Sequence, residues 1–256
     1  MPNKIHPTAC IADSALLGEN VTIGPFVVIE ENVDIGDDCQ LGSHAVIQSF
    51  VKMGRGNIVH PHVVLGDLPQ DTGFKAETVS WLEIGNDNVF REGFTAHRSA
   101  TEHAATKIGS GCFFMNNSHV AHDCKIGNNT IFANNVAIGG FVEVGDKVFM
   151  GGNVVAHQFC RIGSYVIVQG TTGLNMDVIP FTLIGGRPAK HYKLNTIGLR
   201  RAGITGERYK VLADAFRLLK KKASLEDLSE TEELKYLKDW LATKSKRGLH
   251  GFKELD

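Results

Sequence analysis

A bulky apolar residue recurs at every sixth position from the start of the chain: Ile5, Ile11, Leu17, Ile23, Ile29, Ile35, Leu41, Ile47, Met53, Val59 and Leu65. The series resumes at Ile84, Phe90 and Ala96, and again from Ile108 to Leu174. Four residues after the bulky one stands a small or β-branched residue, as at Ala9, Val21, Val33 and Ala45. A glycine often follows the bulky residue directly, as in Ile35-Gly36 and Ile126-Gly127. Six is neither the helical period of about 3.6 nor the alternation of a plain strand, and a fixed six-residue repeat is a signature of a parallel β-helix. Bulky and small positions then point inward and stack, coil on coil, about 4.8 Å apart. The other positions point outward or turn the corners, where glycine and asparagine tolerate unusual backbone angles.

The repeat breaks at 67–82 and, with Glu102 where an apolar residue is due, at 98–107. Both stretches are expected to be loops thrown from the scaffold, a common place for binding residues. The solenoid is expected over 1–190 and a helical appendage over 191–256. In the appendage, 207–223 sets Val211, Leu212, Ala215, Phe216 and Leu219 on one helical face after a Thr205/Gly206 start. Ser229 and Glu232 have the spacing of a capping box opening a last helix with Leu234, Leu237 and Leu241.

At 256 residues and 43% hydrophobic, the chain has material for one large domain and a smaller one, and is not a disordered chain. No basic-then-apolar leader and no apolar run of roughly 20 residues is present, so a soluble cytoplasmic protein without a membrane segment is expected. Cys39, Cys112, Cys124 and Cys160 hold the small inward position, which reads as packing; Cys10 falls one place later, pointing outward. Without a C-x-x-C pair, neither a disulfide framework nor a zinc site is expected. Between Arg187 and Lys222, eleven Lys and Arg stand against Glu207 and Asp214, a local +9 on a chain of net charge −1. That is either a solvated helix face or a docking patch for an acidic partner or a pyrophosphate. Nucleic acid fits poorly, since aromatics are not interleaved with the charges.

Of the eleven histidines, His119 and His122 stand out, in His119-Val120-Ala121-His122-Asp123-Cys124. Both fall on outward or corner positions, so the core needs neither. A neutral imidazole takes a proton near pH 7, and an adjacent carboxylate stabilises the imidazolium. His157 lies 35 residues past His122, about two coils along and roughly 10 Å away if on the same wall. That spacing suits an elongated groove for a long substrate. A metal reading requires His97, His119 and His122 to converge on one ion.

The six-residue pattern resembles the hexapeptide-repeat acyltransferase superfamily, which implies a left-handed parallel β-helix with three short strands per turn. Within it, the chain is similar nearly end to end to the UDP-N-acetylglucosamine acyltransferase family. The likeness rests on Ile5-His6-Pro7-Thr8-Ala9, Ile23-Gly24-Pro25-Phe26, Pro69-Gln70-Asp71, Phe90-Arg91-Glu92 and His97-Arg98, then on the His119–Cys124 segment and Ala133-Asn134-Asn135. It continues through Ala156-His157-Gln158-Phe159-Cys160, Gly198-Leu199-Arg200-Arg201 and Arg247-Gly248-Leu249. The resemblance implies transfer of a 3-hydroxyacyl chain from acyl carrier protein to the sugar 3-hydroxyl, the first step of lipid A synthesis. His122 is then the general base, Asp123 its helper, and the Gly140 N–H the oxyanion donor. Asp71, His119, His157, Gln158, Asn195 and Arg201 hold the UDP-sugar, with Arg201 at a phosphate, and Gly170 measures the acyl chain and leaves room for a long one. No cofactor, no metal and no covalent intermediate are implied. A homotrimer with sites between subunits is, and the basic tail suits the acidic acyl carrier protein.

The chain departs from the family pattern at Phe141, where a histidine is usual, at Gly73, often lysine, and at Ala202, usually arginine. Some members acylate a 3-amino group, and Ser118 with the 71–74 loop keeps an amine acceptor open. Another acyl- or acetyltransferase, a metal-dependent hydratase, or a non-catalytic scaffold on the same repeat are the remaining readings.

Overall fold

Each six-residue unit forms a short strand and a corner, and three units complete a coil. In the computed structural model, which describes residues 2–253, Lys4–Ile5 pairs in parallel with Thr22–Ile23, and that strand with Gln40–Leu41. Ile5, Ile23 and Leu41 thus stack on one wall. Cys10–Ile11 and Leu16–Leu17 begin the second and third walls in the same way. Among the described residues the walls hold eleven, nine and eight strands. The fold is a left-handed parallel β-helix closed by short C-terminal helices. Residue 1 and residues 254–256, at the ends of the two expected domains, lie outside the described residues.

The inward stacks form one continuous core. Phe90 and Phe114 stack with ring centres 5.3 Å apart, and Phe94 and Phe132 fill the space beside them. Burying a side chain of this size stabilises by about 1.5–3 kcal/mol, before the cost of ordering the chain. Ile5, on the first strand of the described residues, is 47% exposed. Four cysteines are buried as expected and Cys10 is exposed. Burial pushes the Cys124 thiol up to about 12, so it packs as an inert small hydrophobe.

The corners correct one expectation. The left-handed residue is the third after the bulky one, and Asn117, Asp123, Phe141 and Tyr165 fill it as readily as glycine does. The glycine right after the bulky residue serves a different need. At Gly36 an added Cβ would lie 2.7 Å from the Arg55 N, so this glycine lets successive coils close.

Both insertions leave from the same corner, between the second and third walls. The first runs over 68–80, between Val64–Asp67 and Trp81–Ile84; the second over 98–104, between Thr95–His97 and Ala105–Ile108. Each is shorter than expected because strand pairing continues into it: Trp81 and Leu82 pair with Ala105 and Thr106. Arg98 fastens the first insertion, its guanidinium lying over the Phe50 and Phe74 rings while Nη2 donates to the Ala76 carbonyl.

The expected division at 190 falls inside a strand. Lys190–Leu194 pairs antiparallel with Thr182–Gly185 at the end of the first wall. Three helices follow: α1 (Thr196–Arg201), which the sequence pattern did not suggest, α2 (Gly206–Lys220) and α3 (Glu232–Ala242). Val211, Leu212 and Ala215 meet Leu234 and Leu237 over Phe181 and Leu199. The capping box is not formed. Thr231, rather than Ser229, caps α3, its hydroxyl accepting from the Leu234 N–H at 3.1 Å. The chain then returns: Asp177 N–H donates to Gly248, and His191 N–H to Gly251. Among the described residues no helix is long and apolar enough to cross a membrane.

Candidate active site

The second wall and its corner toward the third carry the histidines. Val120, Ile138 and Ala156 stack on this wall, so positions one and two after each form vertical files. His97, Ala121, Gly139 and His157 make one file; His122, Gly140 and Gln158 make the next. His119 points outward on the strand itself, beside Thr95.

His122 and Asp123 form the two halves of the corner. Asp123 holds the left-handed place at φ 59°, which turns its carboxylate toward its neighbour's ring, and Nδ1 of His122 meets Oδ2 at 2.8 Å. Both side chains are nearly buried. Burial pushes the Asp123 carboxyl up, but hydrogen bonds from His122, Ser99 and Ala100 outweigh it and hold the group at about 2. Asp123 is thus a fixed anion at neutral pH. It orients the ring with Nε2 free to act as a base.

Gly140 lies directly against that ring. A Cβ at Gly140 would sit 2.6 Å from His122 Cε1 and 2.7 Å from Nε2, so only glycine admits the imidazole here. Among the described residues its N–H has no hydrogen-bond acceptor. Phe141 follows, edge-on to His122 with ring centres 5.4 Å apart and stacked on Phe159. The phenylalanine at this departure walls the base with an aromatic ring.

His119 is half-buried, its Nδ1 at 2.7 Å from the Thr95 hydroxyl and its ring against His97. Burial, with His97 alongside, holds it down at about 4, so it is neutral at pH 7. Among the described residues no three His, Cys, Asp or Glu side chains are arranged to hold a metal ion. His157 and Gln158 are exposed two coils farther on, and His157 borders a recess of about 490 Å³ with Leu174, Asn175 and Arg187.

The remaining expected residues are dispersed. Asp71 is exposed in the first insertion, where its Oδ1 accepts from the Gly73 N–H at 2.8 Å. Gly170 is exposed at the corner between the first and second walls; a Cβ there would approach the Gly152 carbonyl to 3.1 Å. Arg201 is exposed at the end of α1. Asn195 is 5% exposed and its side chain is engaged in the fold: Oδ1 caps α1 at Gly198 and Nδ2 donates to the Tyr165 carbonyl. Ser118 is fully buried and donates to the Met115 carbonyl, so it says nothing about an amine acceptor.

One family, described as Udp N-acetylglucosamine O-acyltransferase, domain 2, matches residues 177–250, and bacterial transferase hexapeptide repeats match 32–67 and 105–140. An acyl-[acyl-carrier-protein]–UDP-N-acetylglucosamine O-acyltransferase from Sulfurihydrogenibium sp. is 47% identical over 256 residues, 96% of this chain and 94% of its own. The protein of the same description from Syntrophobacter fumaroxidans is 42% identical over 84% of each chain. The chain belongs to the UDP-N-acetylglucosamine O-acyltransferase family. Its fold agrees throughout: the crystal structure of the Moraxella catarrhalis UDP-N-acetylglucosamine O-acyltransferase, 35% identical, superposes with a TM-score of 0.90 over 96% of this chain and 98% of the other. The family match over 177–250 takes in all three helices, and the second hexapeptide match takes in His122, Asp123 and Gly140.

Sequence reasoning missed the groups that hold the acid–base pair. Ser99, the Ala100 N–H and Thr106 all bond Asp123. Their signal is the stacking register: Ser99 is the third residue after Ala96 as Asp123 is the third after Val120, and those two bulky residues pair.

Proposed function

We propose that this chain transfers a 3-hydroxyacyl group from acyl carrier protein to the 3-hydroxyl of UDP-N-acetylglucosamine. The observation that carries the reading is the buried Asp123–His122 pair packed onto Gly140. His122 Nε2 removes the hydroxyl proton as the sugar oxygen bonds to the thioester carbonyl carbon. Negative charge gathers on the carbonyl oxygen beside the Gly140 N–H, a donor already in place. As the intermediate collapses, the C–S bond breaks and the imidazolium returns its proton to the departing thiolate, leaving His122 neutral. Asp123 stabilises the imidazolium between the two transfers.

Asp71, His119, His157, Gln158, Asn195 and Arg201 are the residues we assign to the sugar nucleotide, Arg201 by a charge-assisted bond to phosphate. Asn195 would act through the donor and acceptor capacity its cap leaves over. Gly170 would bound the acyl groove. These residues are spread over two corners and α1, which favours a homotrimer whose sites lie between subunits. The tail suits the acidic carrier. Within it Arg208 pairs with Glu233 and Arg217 with Asp214, while Lys190, Lys193, Arg200 and Lys221 remain exposed.

The test is an acceptor assay with 3-hydroxyacyl carrier proteins and either UDP-N-acetylglucosamine or its 3-amino analogue, run for wild type and His122→Ala. Transfer to the hydroxyl, abolished in the variant, is expected. Transfer to the amine alone would change the product to an amide, and transfer to neither would remove the assignment.

A further inference from the structure

The end of the first insertion and the start of the second meet in hydrogen bonds that run toward the acid–base pair. Ser99 is fully buried, and its Oγ donates to Asp123 Oδ1 at 2.5 Å. The Ala100 N–H donates to Oδ2 at 3.0 Å, the same oxygen that meets His122 Nδ1. Ser99 is itself held on every side. Its N–H donates to the Trp81 carbonyl at 3.1 Å, its carbonyl accepts from the buried Ser80 hydroxyl at 2.5 Å, and its Oγ accepts from the Thr101 N–H at 2.9 Å. The Thr101 carbonyl is a competing acceptor at 3.1 Å, but the single hydroxyl hydrogen goes to the charged oxygen, where the bond is shorter and stronger. A file of bonds therefore leads from Ser80, at the end of the first insertion, through Ser99 in the second, to Asp123 and His122.

We propose that Ser99 is a positioning residue for the reaction: its hydroxyl locks the Asp123 carboxylate and shares its charge, so that Asp123 aims His122 without trapping the imidazolium. This rests on His122 being the base. A carboxylate bonded through one oxygen alone can rotate and concentrates its charge on the histidine side. Bonds at both oxygens fix the plane and divide the charge. A base that must return its proton to a thiolate within one turnover works best with that attraction moderated. Other ionisable groups stand nearby. His97 and His119 face His122, with Asp67 behind His97; Lys125, Glu143, Arg161, Lys244 and Lys246 line the recess of about 330 Å³ over Asp123. None of them is hydrogen-bonded to Ser99, so a Ser99 substitution acts on His122 through Asp123.

The experiment compares wild type, Ser99→Ala, Ser99→Cys, Asp123→Asn, the Ser99→Ala/Asp123→Asn double variant and His122→Ala, by turnover against pH and, where the ring is present, by NMR titration of His122. Ser99→Ala is expected to lower kcat at neutral pH about tenfold with KM for the sugar nucleotide unchanged. The acid limb of its pH profile and the ring titration are expected to move together to higher pH, because the undivided carboxylate charge stabilises the imidazolium. Ser99→Cys, a weaker donor, falls between, and carries the test if Ser99→Ala does not fold. In the Asp123→Asn background Ser99→Ala costs nothing further. An unshifted limb and ring titration in a folded Ser99 variant, or an equal cost with and without the Asp123 carboxylate, overturns the proposal. Full activity in both His122→Ala and Asp123→Asn overturns the base assignment beneath it, a result that the Ser99 variants alone cannot produce.

Discussion

At Gly140 the absence of a side chain is a geometric requirement. An added methyl group would overlap the His122 ring at 2.6 Å, and the ring cannot retreat without giving up its 2.8 Å bond to Asp123. Gly140→Ala is therefore expected to lower kcat by about a hundredfold or more and, because Gly140 and the His122 ring are both buried, to destabilise the fold by about 1–3 kcal/mol through overpacking. Kinetics and a melting curve on one preparation check both halves; a stable variant with near-normal kcat would show that the ring position does not matter. His122 and Asp123 were legible in the sequence because the repeat assigns each residue a direction, and theirs is not inward. Ser99 was not, because the residue it bonds lies 24 positions away across an insertion whose length the pattern does not reveal. Asn195 has a structural role that the sequence hides. Named by the family resemblance alone, it also caps a six-residue helix too short to leave a periodic trace.

Strands and helices differ in how plainly their limits are written. The walls follow directly from the six-residue spacing, since each strand needs one bulky inward residue and the coil below supplies its hydrogen bonds. The insertion ends are harder to read. Thr106 is an inward, fully buried residue whose hydroxyl accepts from the Asp123 N–H at 2.7 Å, so a polar residue takes a core position and hides the strand. Helix starts depend on which of several hydroxyls meets a free amide. Thr231→Ala is expected to destabilise α3 by about 1 kcal/mol and Ser229→Ala by almost nothing, read from urea unfolding. The reverse order would restore the capping box. The C-terminal return is held by His191, fully buried, whose Nε2 accepts from the Ile179 N–H at 3.0 Å, and by His250 beside it. Burial holds His191 down at about 4 and His250 below its ordinary value, against about 6.5 in an unfolded chain. The unfolded chain binds protons the native state refuses, so this stability is complete above about 6.5 and is lost as pH falls toward 4. Amide protection across 248–253, taken relative to the intrinsic exchange rate at each pH, is expected to fall over that window, and unchanged protection would mean the two histidines do not hold the return.

In the molecule as a whole, the separation of His122 from Arg201 bears on how a site is assembled. From the coil of His122 the second wall continues through Ile138, Ala156 and Leu174, three spacings or roughly 14 Å, before the solenoid ends. Arg201 lies beyond that end, on α1, which follows the antiparallel strand that closes the first wall rather than the second. If one sugar nucleotide is to meet both, the chain that supplies His122 is better served by the α1 of a neighbour. A cyclic trimer provides three such sites. His122→Ala and Arg201→Ala are each expected to be nearly inactive alone. Co-expressed in equal amounts, they form mixed trimers in which a site taking His122 from one variant and Arg201 from the other is intact. Random assembly makes about a quarter of the sites whole, so about a quarter of wild-type activity returns, with a hydrodynamic mass three times that of the chain. If both residues serve the site of their own subunit, every site in the mixture carries one lesion. Activity then stays at the level of the separate variants, and the shared-site arrangement is wrong even if the mass is that of a trimer.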